Sequence, residues 1–266
     1  MKKKNLVALI IGISLVLSIV IYFGRKVVIN DLPDILEDGR LSVLIENGEH
    51  GFTRDSLKVY GFQYEMIKSF SNSIGVELVV INEEDIKDGI TELTKGKCDV
   101  LVSLRPVVND STLPVRYLIP IISTRLMLVQ RTDSMGKKQI NKQYELDKNT
   151  LTLKVNSLYM ERLKDLSGEV AAEISFQQVA KKTLDDLVRM VSEEKCDYTV
   201  CPEYLAGRLT KRYPNIDISL PLSFKQDLSW SVNRHSAVLY EQLNSFLEDF
   251  VLSPEYQRLY QQYFSN

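Results

Sequence analysis

The sequence is poor in cysteine, glycine and proline, and it contains no block of basic residues. Three cysteines in 266 residues are too few for a disulfide-stabilised scaffold, and 12 glycines with 8 prolines exclude a fibrous or low-complexity chain. A formal net charge of −2 argues against a nucleic-acid-binding protein. What remains is a folded chain with 44 % apolar residues, long enough for one large domain or two small ones.

The N-terminus holds the one long uncharged run of the chain, the 18 residues Leu6–Phe23. A helix of that length is ~27 Å long, close to the ~30 Å of a bilayer core. Lys2–Lys4 precede the run, and Arg25 and Lys26 follow it, so the positive-inside rule keeps the N-terminus cytoplasmic. We therefore predict that residues 1–26 are a single inner-membrane anchor, or a cleaved signal, and that the rest of the chain is periplasmic.

The part after residue 26 is acidic and alternates strand-like with helix-like segments. Five of the 33 basic residues lie in residues 1–26, so the remainder holds 28 basic and 35 acidic side chains, a net charge of −7. Short β-branched runs between amphipathic segments are typical of a mixed sheet covered by helices. We predict strands at Leu41–Ile45, Val76–Ile81, Asp99–Leu104, Leu126–Gln130, Leu151–Val155, Ala172–Phe176, Tyr198–Val200 and Leu228–Val232. Two core-facing helix stripes are Phe62, Met66, Phe70 and Ile74, and Leu184, Leu187, Val188 and Val191.

An internal similarity predicts two lobes of like construction. The segment Ile90–Val100 recurs in outline at Leu187–Tyr198, and each has the pattern of a helix end that turns into a strand. Cys98 and Cys196 hold matching positions in these two units. We therefore expect them to lie far apart, and the three cysteines to be buried thiols without a disulfide.

Five segments of the acidic part follow one another in a recognisable order: Asp31–Val43, Tyr60–Met66, Leu93–Val102, Asp197–Glu203 and Tyr213–Ile218. Together they resemble the extracellular solute-binding proteins of family 3, over about residues 31–266. Within that family they are most similar to the non-catalytic N-terminal module of the membrane-bound lytic transglycosylase F group. The resemblance implies the type II periplasmic-binding fold, an α/β architecture in which two crossings join two lobes.

The resemblance also implies a division of the chain. Lobe 1 is expected at residues 31–130 plus 224–266, and lobe 2 at residues 131–223. No linker rich in Gly, Ser or Pro separates the two, so we take Arg131–Gln143 and Ser223–Trp230 as the candidate crossings. Two such crossings form a hinge beside a cleft.

Members of this family close their lobes on an amino acid or a similar small molecule. The Thr and Arg that usually bind the carboxylate, after the strand Asp99–Leu104, correspond here to Val108 and Ser111. An arginine fork is the natural partner of a carboxylate, which makes Arg105 or Arg116 the substitute candidate. The usual lobe 1 half of the amino-acid clamp is therefore altered.

The lobe 2 half of the clamp is altered as well. The ammonium-binding Asp of the family corresponds to Pro202, so the candidate becomes Glu203 beside it. Asn156 and Ser157 stand where the family has a Gly-Ser or Gly-Thr pair that touches the ligand. From the residues alone, this pair predicts either an anion site or a simple helix cap.

Two further candidates belong to lobe 1. Glu46 ends the first predicted strand, and Tyr60 precedes the first amphipathic helix, so both face the expected cleft. For both residues, ligand binding and a purely structural role are alternative interpretations. Trp230, the single tryptophan, lies on the second crossing and is interpreted as hinge packing.

The sequence offers little support for catalysis. His50 and His235 lack metal-ligand spacing, and no nucleophile, phosphate-loop or paired-cysteine motif is present, so no catalytic residue, metal or cofactor is predicted. Acid–base work by Glu203 and Arg105, as in the dehydratases that share this fold, is the enzymatic alternative. The sequence ends at Asn266, after the aromatic segment that closes the binding module, and we expect no lytic domain.

The prediction from sequence is a membrane-tethered periplasmic solute-binding protein. It takes a small polar ligand, amino-acid-like or a cell-wall fragment, into a cleft between its lobes. Its expected partners are the membrane and a permease or cell-wall enzyme. The alternative is a stand-alone regulatory, sensor or scaffold module related to the transglycosylase module.

Overall fold

The computed structural model describes residues 27–48, 50–55, 58–83, 89–107, 112–155, 157 and 159–265. The predicted anchor, residues 1–26, lies outside these described residues. Within the described part, no helix is both long enough and apolar enough to cross a bilayer.

The described helices alternate with strands along most of the chain. The helices are α1 (Leu32–Asp38), α2 (Phe62–Ser73), α3 (Gly89–Thr94), α4 (Met160–Glu169), α5 (Leu184–Ser192), α6 (Ala206–Arg212), α7 (Ala237–Phe250) and α8 (Pro254–Tyr260). A π-helical turn at Gln261–Ser265 extends α8. The strands are β1 (Arg40–Glu46), β2 (Thr53–Arg54), β3 (Val59–Tyr60), β4 (Glu77–Glu83), β5 (Val100–Pro106), β6 (Val115–Tyr117), β7 (Ile122–Thr124), β8 (Leu126–Arg131), β9 (Thr150–Lys154), β10 (Ser175–Val179), β11 (Tyr198–Pro202), β12 (Ile216–Asp217) and β13 (Gln226–Asn233).

Two separate mixed sheets organise these elements into two lobes. In lobe 1 the strand order is β4-β1-β5-β13-β6, with β7 also paired to β13. In lobe 2 the order is β10-β9-β11-β8-β12. Two sets of central strands are parallel, β1 with β4 and β5, and β9 with β10 and β11. The predicted α/β class is confirmed, and seven of the eight predicted strands are found close to their predicted bounds. The eighth, predicted at Ala172–Phe176, begins three residues later, at Ser175–Val179.

The sheets form where the sequence is apolar on both faces. In β1, Val43, Leu44 and Ile45 are all at most 2 % exposed, as expected for a strand covered by helices on both sides. Phe62, Met66 and Phe70 of α2 are fully buried, which confirms the predicted stripe. The short strands β2, β3, β6, β7 and β12 have two or three residues each and no periodic pattern, and the sequence did not predict them.

The crossings between the lobes differ from the predicted ones. β7 belongs to the first sheet and β8 to the second, so the first crossing is at Arg125. The predicted boundary after residue 130 falls near the end of β8. Because β8 pairs antiparallel with β11 and β12, it belongs to lobe 2, and the boundary lies before β8. The return crossing precedes β13, which begins at Gln226, inside the predicted segment Ser223–Trp230.

The two repeated units have the predicted construction. α3 leads into β5 and α5 leads into β11, and both turns contain a left-handed residue at the same place, Gly96 with φ 68° and Glu194 with φ 62°. Cys98 lies in lobe 1 and Cys196 in lobe 2, and no cysteine forms a disulfide. Cys98 and Cys201 are buried, whereas Cys196 is half-buried, which corrects the expectation for that residue.

Candidate ligand-binding cleft

The predicted site residues gather mainly at the carboxyl ends of the central strands. Glu46 ends β1, Arg105 is near the end of β5, Ser157 follows β9 and Glu203 follows β11. Ligands of α/β proteins bind outside the carboxyl ends of parallel strands. In this chain the strand ends that carry these residues belong to both sheets, so the candidate site lies between the lobes.

Glu46 is the carboxylate at the centre of this region. The parallel register of β1 and β5 sets it beside Ser103, whose Oγ donates a hydrogen bond to Glu46 Oε1 at 3.4 Å. Burial raises the pKa of the Tyr159 hydroxyl, and the negative charge of Glu46 adds to the rise. Burial likewise raises the pKa of Tyr204, again with a contribution from Glu46. Among the described residues Glu46 forms no ion pair, and its charge acts on the hydroxyls of two tyrosines of the other lobe.

An aromatic contact joins the lobes at the edge of the same region. The Tyr204 ring of lobe 2 lies 4.9 Å from the ring of Phe264 in the C-terminal turn, and Phe264 packs on Phe62 of α2 at 4.7 Å. His50 of lobe 1 stacks on Phe264 at 5.1 Å. Arg208 Nη1 adds a hydrogen bond to the Tyr263 carbonyl oxygen at 3.2 Å. The lobes therefore touch through the C-terminal segment.

Close backbone packing holds the loop that carries His50 and Tyr60. A Cβ on Gly61, which has φ 151°, would lie 2.1 Å from the carbonyl oxygen of Gly51. A Cβ on Gly51 would in turn lie 2.1 Å from the Glu46 carbonyl oxygen. Only glycine fits either place. Tyr60 itself is half-buried, and Lys58 Nζ sits 4.8 Å from the centre of its ring.

Glu203 is held at the hinge. Arg125, on the first crossing, directs Nε and Nη2 to Glu203 Oε1, each at 2.9 Å, and the Glu203 N–H donates to the Arg125 carbonyl oxygen at 2.9 Å. The hydrogen bond that Arg125 donates to Glu203 raises the pKa of Arg125 further above its ordinary value. The carboxylate predicted for an ammonium group thus already has a cationic partner.

The two candidate arginines have different neighbours. The Arg116 guanidinium lies over the Tyr240 ring of α7, 5.3 Å from its centre. Arg105 lies two residues beyond Ser103, on the same face of β5. Burial raises the pKa of Tyr117, and the positive charge of Arg105 opposes that rise. The other altered clamp positions, Val108 and Ser111, lie outside the described residues.

Ser157 takes part in the turn before α4. Its Oγ accepts a hydrogen bond from the Tyr159 N–H at 3.3 Å, and its own N–H donates to the Lys154 carbonyl oxygen at 3.1 Å. Ser157 is not the cap of α4, because the N-cap residue is Tyr159 and no described side chain caps this helix. Asn156 lies outside the described residues. Trp230 is fully buried in β13 and donates to Gln63 of α2, so it is a packing residue, as interpreted from sequence.

Sequence reasoning missed several residues of this region. Ser103 carried a usable signal, because it is a polar residue in an otherwise apolar strand and is only 1 % exposed. Tyr159 lies shortly after the end of β9, so the rule that ligands bind at strand ends could have identified it. Tyr204 and Phe264 are 60 positions apart in the sequence and meet only through the fold, and nothing local marks that contact.

Comparison with known proteins agrees with this architecture. In two relatives named membrane-bound lytic murein transglycosylase F, identity is 25 % over 82 % of this chain (Saccharophagus degradans) and 26 % over 88 % (Pseudomonas fluorescens). The chain spans 43 % and 48 % of the length of these relatives, about half.

Solved structures with the same fold include amino-acid-binding proteins. ArgBP from T. maritima, in a mutant form, superposes with a TM-score of 0.71 at 19 % identity, covering 88 % of this chain and 99 % of that one. AbpA from Streptococcus pneumoniae, a substrate-binding protein of an amino acid ABC transporter bound to L-arginine, gives 0.71 at 15 % identity, covering 88 % and 98 %. The model of the bacterial extracellular solute-binding proteins, family 3, matches residues 41–266, and the chain belongs to that family.

Proposed function

We propose that the chain is a membrane-tethered periplasmic binding module that closes its lobes on a small polar ligand, amino-acid-like or a cell-wall fragment. Glu46 carries this proposal, as a carboxylate at the end of β1 that accepts from Ser103 and faces Tyr159 and Tyr204. A carboxylate beside buried groups is best matched by a ligand ammonium or N–H. The solute-binding family supports a small-molecule ligand for this site.

The surrounding side chains suit such a ligand. The tyrosine hydroxyls of Tyr159 and Tyr204 both donate and accept hydrogen bonds, and their rings attract cations. Arg105, on the face of β5 that carries Ser103, is our candidate for an acidic group of the ligand. Tyr60 and Ser157 are assigned to the outer wall, and Asn156 stays a candidate from the sequence alone. Glu203 is assigned to closure of the hinge, because Arg125 holds it.

A ligand screen of the purified chain tests the proposal. Amino acids, short peptides and muropeptides are added in thermal unfolding followed by the fluorescence of the single tryptophan, Trp230. A ligand at about one hundred times its Kd adds ~2.7 kcal/mol of stability, which raises Tm by several degrees. If no compound in these classes raises Tm, the small-molecule proposal fails.

The second candidate is a regulatory or scaffold module without a transported ligand. It is favoured by Pro202 at the altered clamp position and by the Arg125 that already pairs with Glu203. A gene neighbourhood of permease and ATPase genes supports the first candidate. A neighbourhood of cell-wall genes, together with a negative screen, supports the second.

The same proposal covers the tethering of the chain to the membrane, its orientation there and a non-catalytic role. Residues 1–26 are proposed as the anchor, with the lobes in the periplasm and a permease or cell-wall enzyme as partner. N-terminal sequencing of the mature protein tests this, since a start beyond residue 24 means a cleaved signal. The enzymatic alternative is weakened because Glu203 pairs with Arg125, whereas the charge of Arg105 acts on Tyr117.

A further inference from the structure

A second concavity lies at the hinge and shares no residue with the Glu46 region. It has a volume of about 300 Å³, and its lining includes Arg125, Gln143, Arg162, Glu169, Phe224 and Lys225. Arg125 is on the first crossing, Phe224 and Lys225 are on the second, and Arg162 and Glu169 are on α4. A volume at the lower end of the range for ligand pockets fits a molecule with a single ring.

The charge of this hinge pocket is opposite to that of the chain around it. Its lining holds three cationic side chains and one carboxylate, whereas the chain beyond residue 26 has a net charge of −7. Arg162 neutralises the carboxylate with two hydrogen bonds to Glu169, at 2.6 and 2.8 Å, and this pairing lowers the pKa of Glu169. Arg125 is likewise paired, with Glu203 outside the lining, so Lys225 is the cation that leaves this pocket with a net positive charge.

Arg125 and Lys225 both keep N–H donors for an anion. Arg125 gives Nε and Nη2 to a single oxygen of Glu203, and its side chain is 36 % exposed. A guanidinium carries five N–H donors, so such an arginine can serve a second oxyanion. Lys225 is exposed and forms no ion pair with any residue that the structure describes.

An apolar surface borders the same space. Phe224, next to Lys225, is 87 % exposed, one of the largest exposures of an apolar side chain among the described residues. A single exposed apolar residue is ordinary. Here, however, the ring lines a cavity together with two cations, and an aromatic face supplies the flat contact that a ligand ring requires.

We propose that the hinge pocket binds a small organic oxyanion that carries a flat ring, an aromatic carboxylate or phosphate monoester. The oxyanion contacts Arg125 and Lys225, and the ring packs on Phe224. The pocket does not include Glu46, but it shares Arg125 with the hinge contact of the proposed function, so the Glu46→Gln variant below distinguishes a failure of this site from a failure of the cleft.

Calorimetric titration of the full chain with phenyl phosphate and with benzoate tests the proposal, at low ionic strength. Benzyl alcohol, which lacks the anion, and inorganic phosphate, which lacks the ring, are the matched probes. We expect binding of at least one ring-bearing anion below about 10 mM, weaker binding of both matched probes, and loss of affinity with added salt.

Substitutions locate the bound anion. Lys225→Gln and Phe224→Ser should each weaken binding about threefold or more, through the lost charge and the lost ring contact. Lys164→Gln, an exposed lysine of α4 outside the lining, and Leu252→Ser, an apolar residue 79 % exposed elsewhere, are the controls and should leave affinity unchanged. Glu46→Gln should also leave it unchanged, which separates this site from the cleft.

Three results overturn the proposal. They are no binding of either ring-bearing anion, equal binding of inorganic phosphate and phenyl phosphate, and equal losses in the Lys225 and Lys164 variants. Benzoate binding without phenyl phosphate binding, or the reverse, supports the site and identifies which oxyanion it takes. The variants of Lys225, Phe224, Lys164 and Leu252 are surface substitutions, whereas Glu46 is half-buried. An unchanged Tm confirms that each variant is folded.

Discussion

Two carboxylates, Glu46 and Glu203, lie where the lobes meet, and their surroundings differ. Glu46 accepts from the hydroxyl of Ser103 and faces buried tyrosines, and it has no cationic partner among the described residues. Glu203 is bound by Arg125, with both side chains about one-third exposed. An unbalanced charge near buried groups is poised for a ligand, whereas a balanced and exposed pair contributes little beyond local geometry.

The difference extends to the backbone behind each carboxylate. The Glu46 carbonyl oxygen is packed against Gly51, and Gly51 against Gly61, which leaves no space for a side chain. Glu203 follows β11 on a short 3-10 turn next to the first crossing. One wall of the cleft is thus set by close packing and the other by an exposed ion pair at a hinge.

The largest effect is expected at Gly61. Gly61→Ala places a Cβ 2.1 Å from the Gly51 oxygen at a φ of 151°, and we expect a loss of about 2–4 kcal/mol in the free energy of unfolding. Gly168→Ala is the control, because a Cβ there meets nothing within 4 Å and lies within helix α4, so it should stabilise by about 0.5–1 kcal/mol. Urea denaturation measures both, and equal effects would contradict the packing argument.

The next effect concerns affinity. For a ligand found in the screen, Glu46→Gln should weaken binding tenfold or more, about 1.4 kcal/mol, because it removes the charge that the ligand matches. Glu203→Gln should change affinity by less than about threefold, because Arg125 already neutralises that carboxylate. The reverse order would exchange the roles that we assign to the two carboxylates.

Alkaline pH provides a third comparison. Burial, assisted by the charge of Glu46, raises the pKa of Tyr159 and Tyr204 above the ordinary value of about 10. The unfolded chain therefore loses these protons first, and stability should fall as pH rises above about 10, by up to ~1.4 kcal/mol per pH unit for each group. Tyr204→Phe should reduce this slope in thermal melts at several pH values. An unchanged slope would mean that Tyr204 is solvated.

A smaller gain in stability is expected at the repeated turns. Glu194 has φ 62° where the matching turn has Gly96, and a left-handed conformation is costly for a residue with a Cβ. Glu194→Gly should therefore raise the free energy of unfolding by up to about 1 kcal/mol, or Tm by about 2–4 °C. A lower Tm would show that other contacts of Glu194 outweigh the backbone strain.

The smallest effect is expected from the exposed ion pair itself. Arg125→Gln removes the partner of Glu203, and we expect little change in stability because water and salt screen an exposed ion pair. Thermal melts of this variant at low and high salt measure the effect. A large loss of stability that salt does not reduce would show that the pair is far better shielded than its exposure indicates.

The sequence predicted the central sheet strands because these are apolar on both faces, as in β1 and β5. It misplaced the first crossing because the apolar run of β8 looks the same in either lobe, and only its antiparallel pairing with β11 decides the assignment. The position of Glu46 at a strand end made it a candidate, whereas Glu203 became one through the family resemblance at Pro202. Neither argument found Arg125 or Phe264, whose partners are distant along the chain.

The most direct test of the account is a crystal structure of the chain with the compound that raises its Tm most. We predict that a nitrogen of the ligand lies within hydrogen-bond distance of the Glu46 carboxylate, between the tyrosines of lobe 2, with Arg125 still paired to Glu203. Two results would contradict this prediction. One is a ligand that binds Glu203 and displaces Arg125, and the other is a ligand that contacts the strand ends of neither lobe.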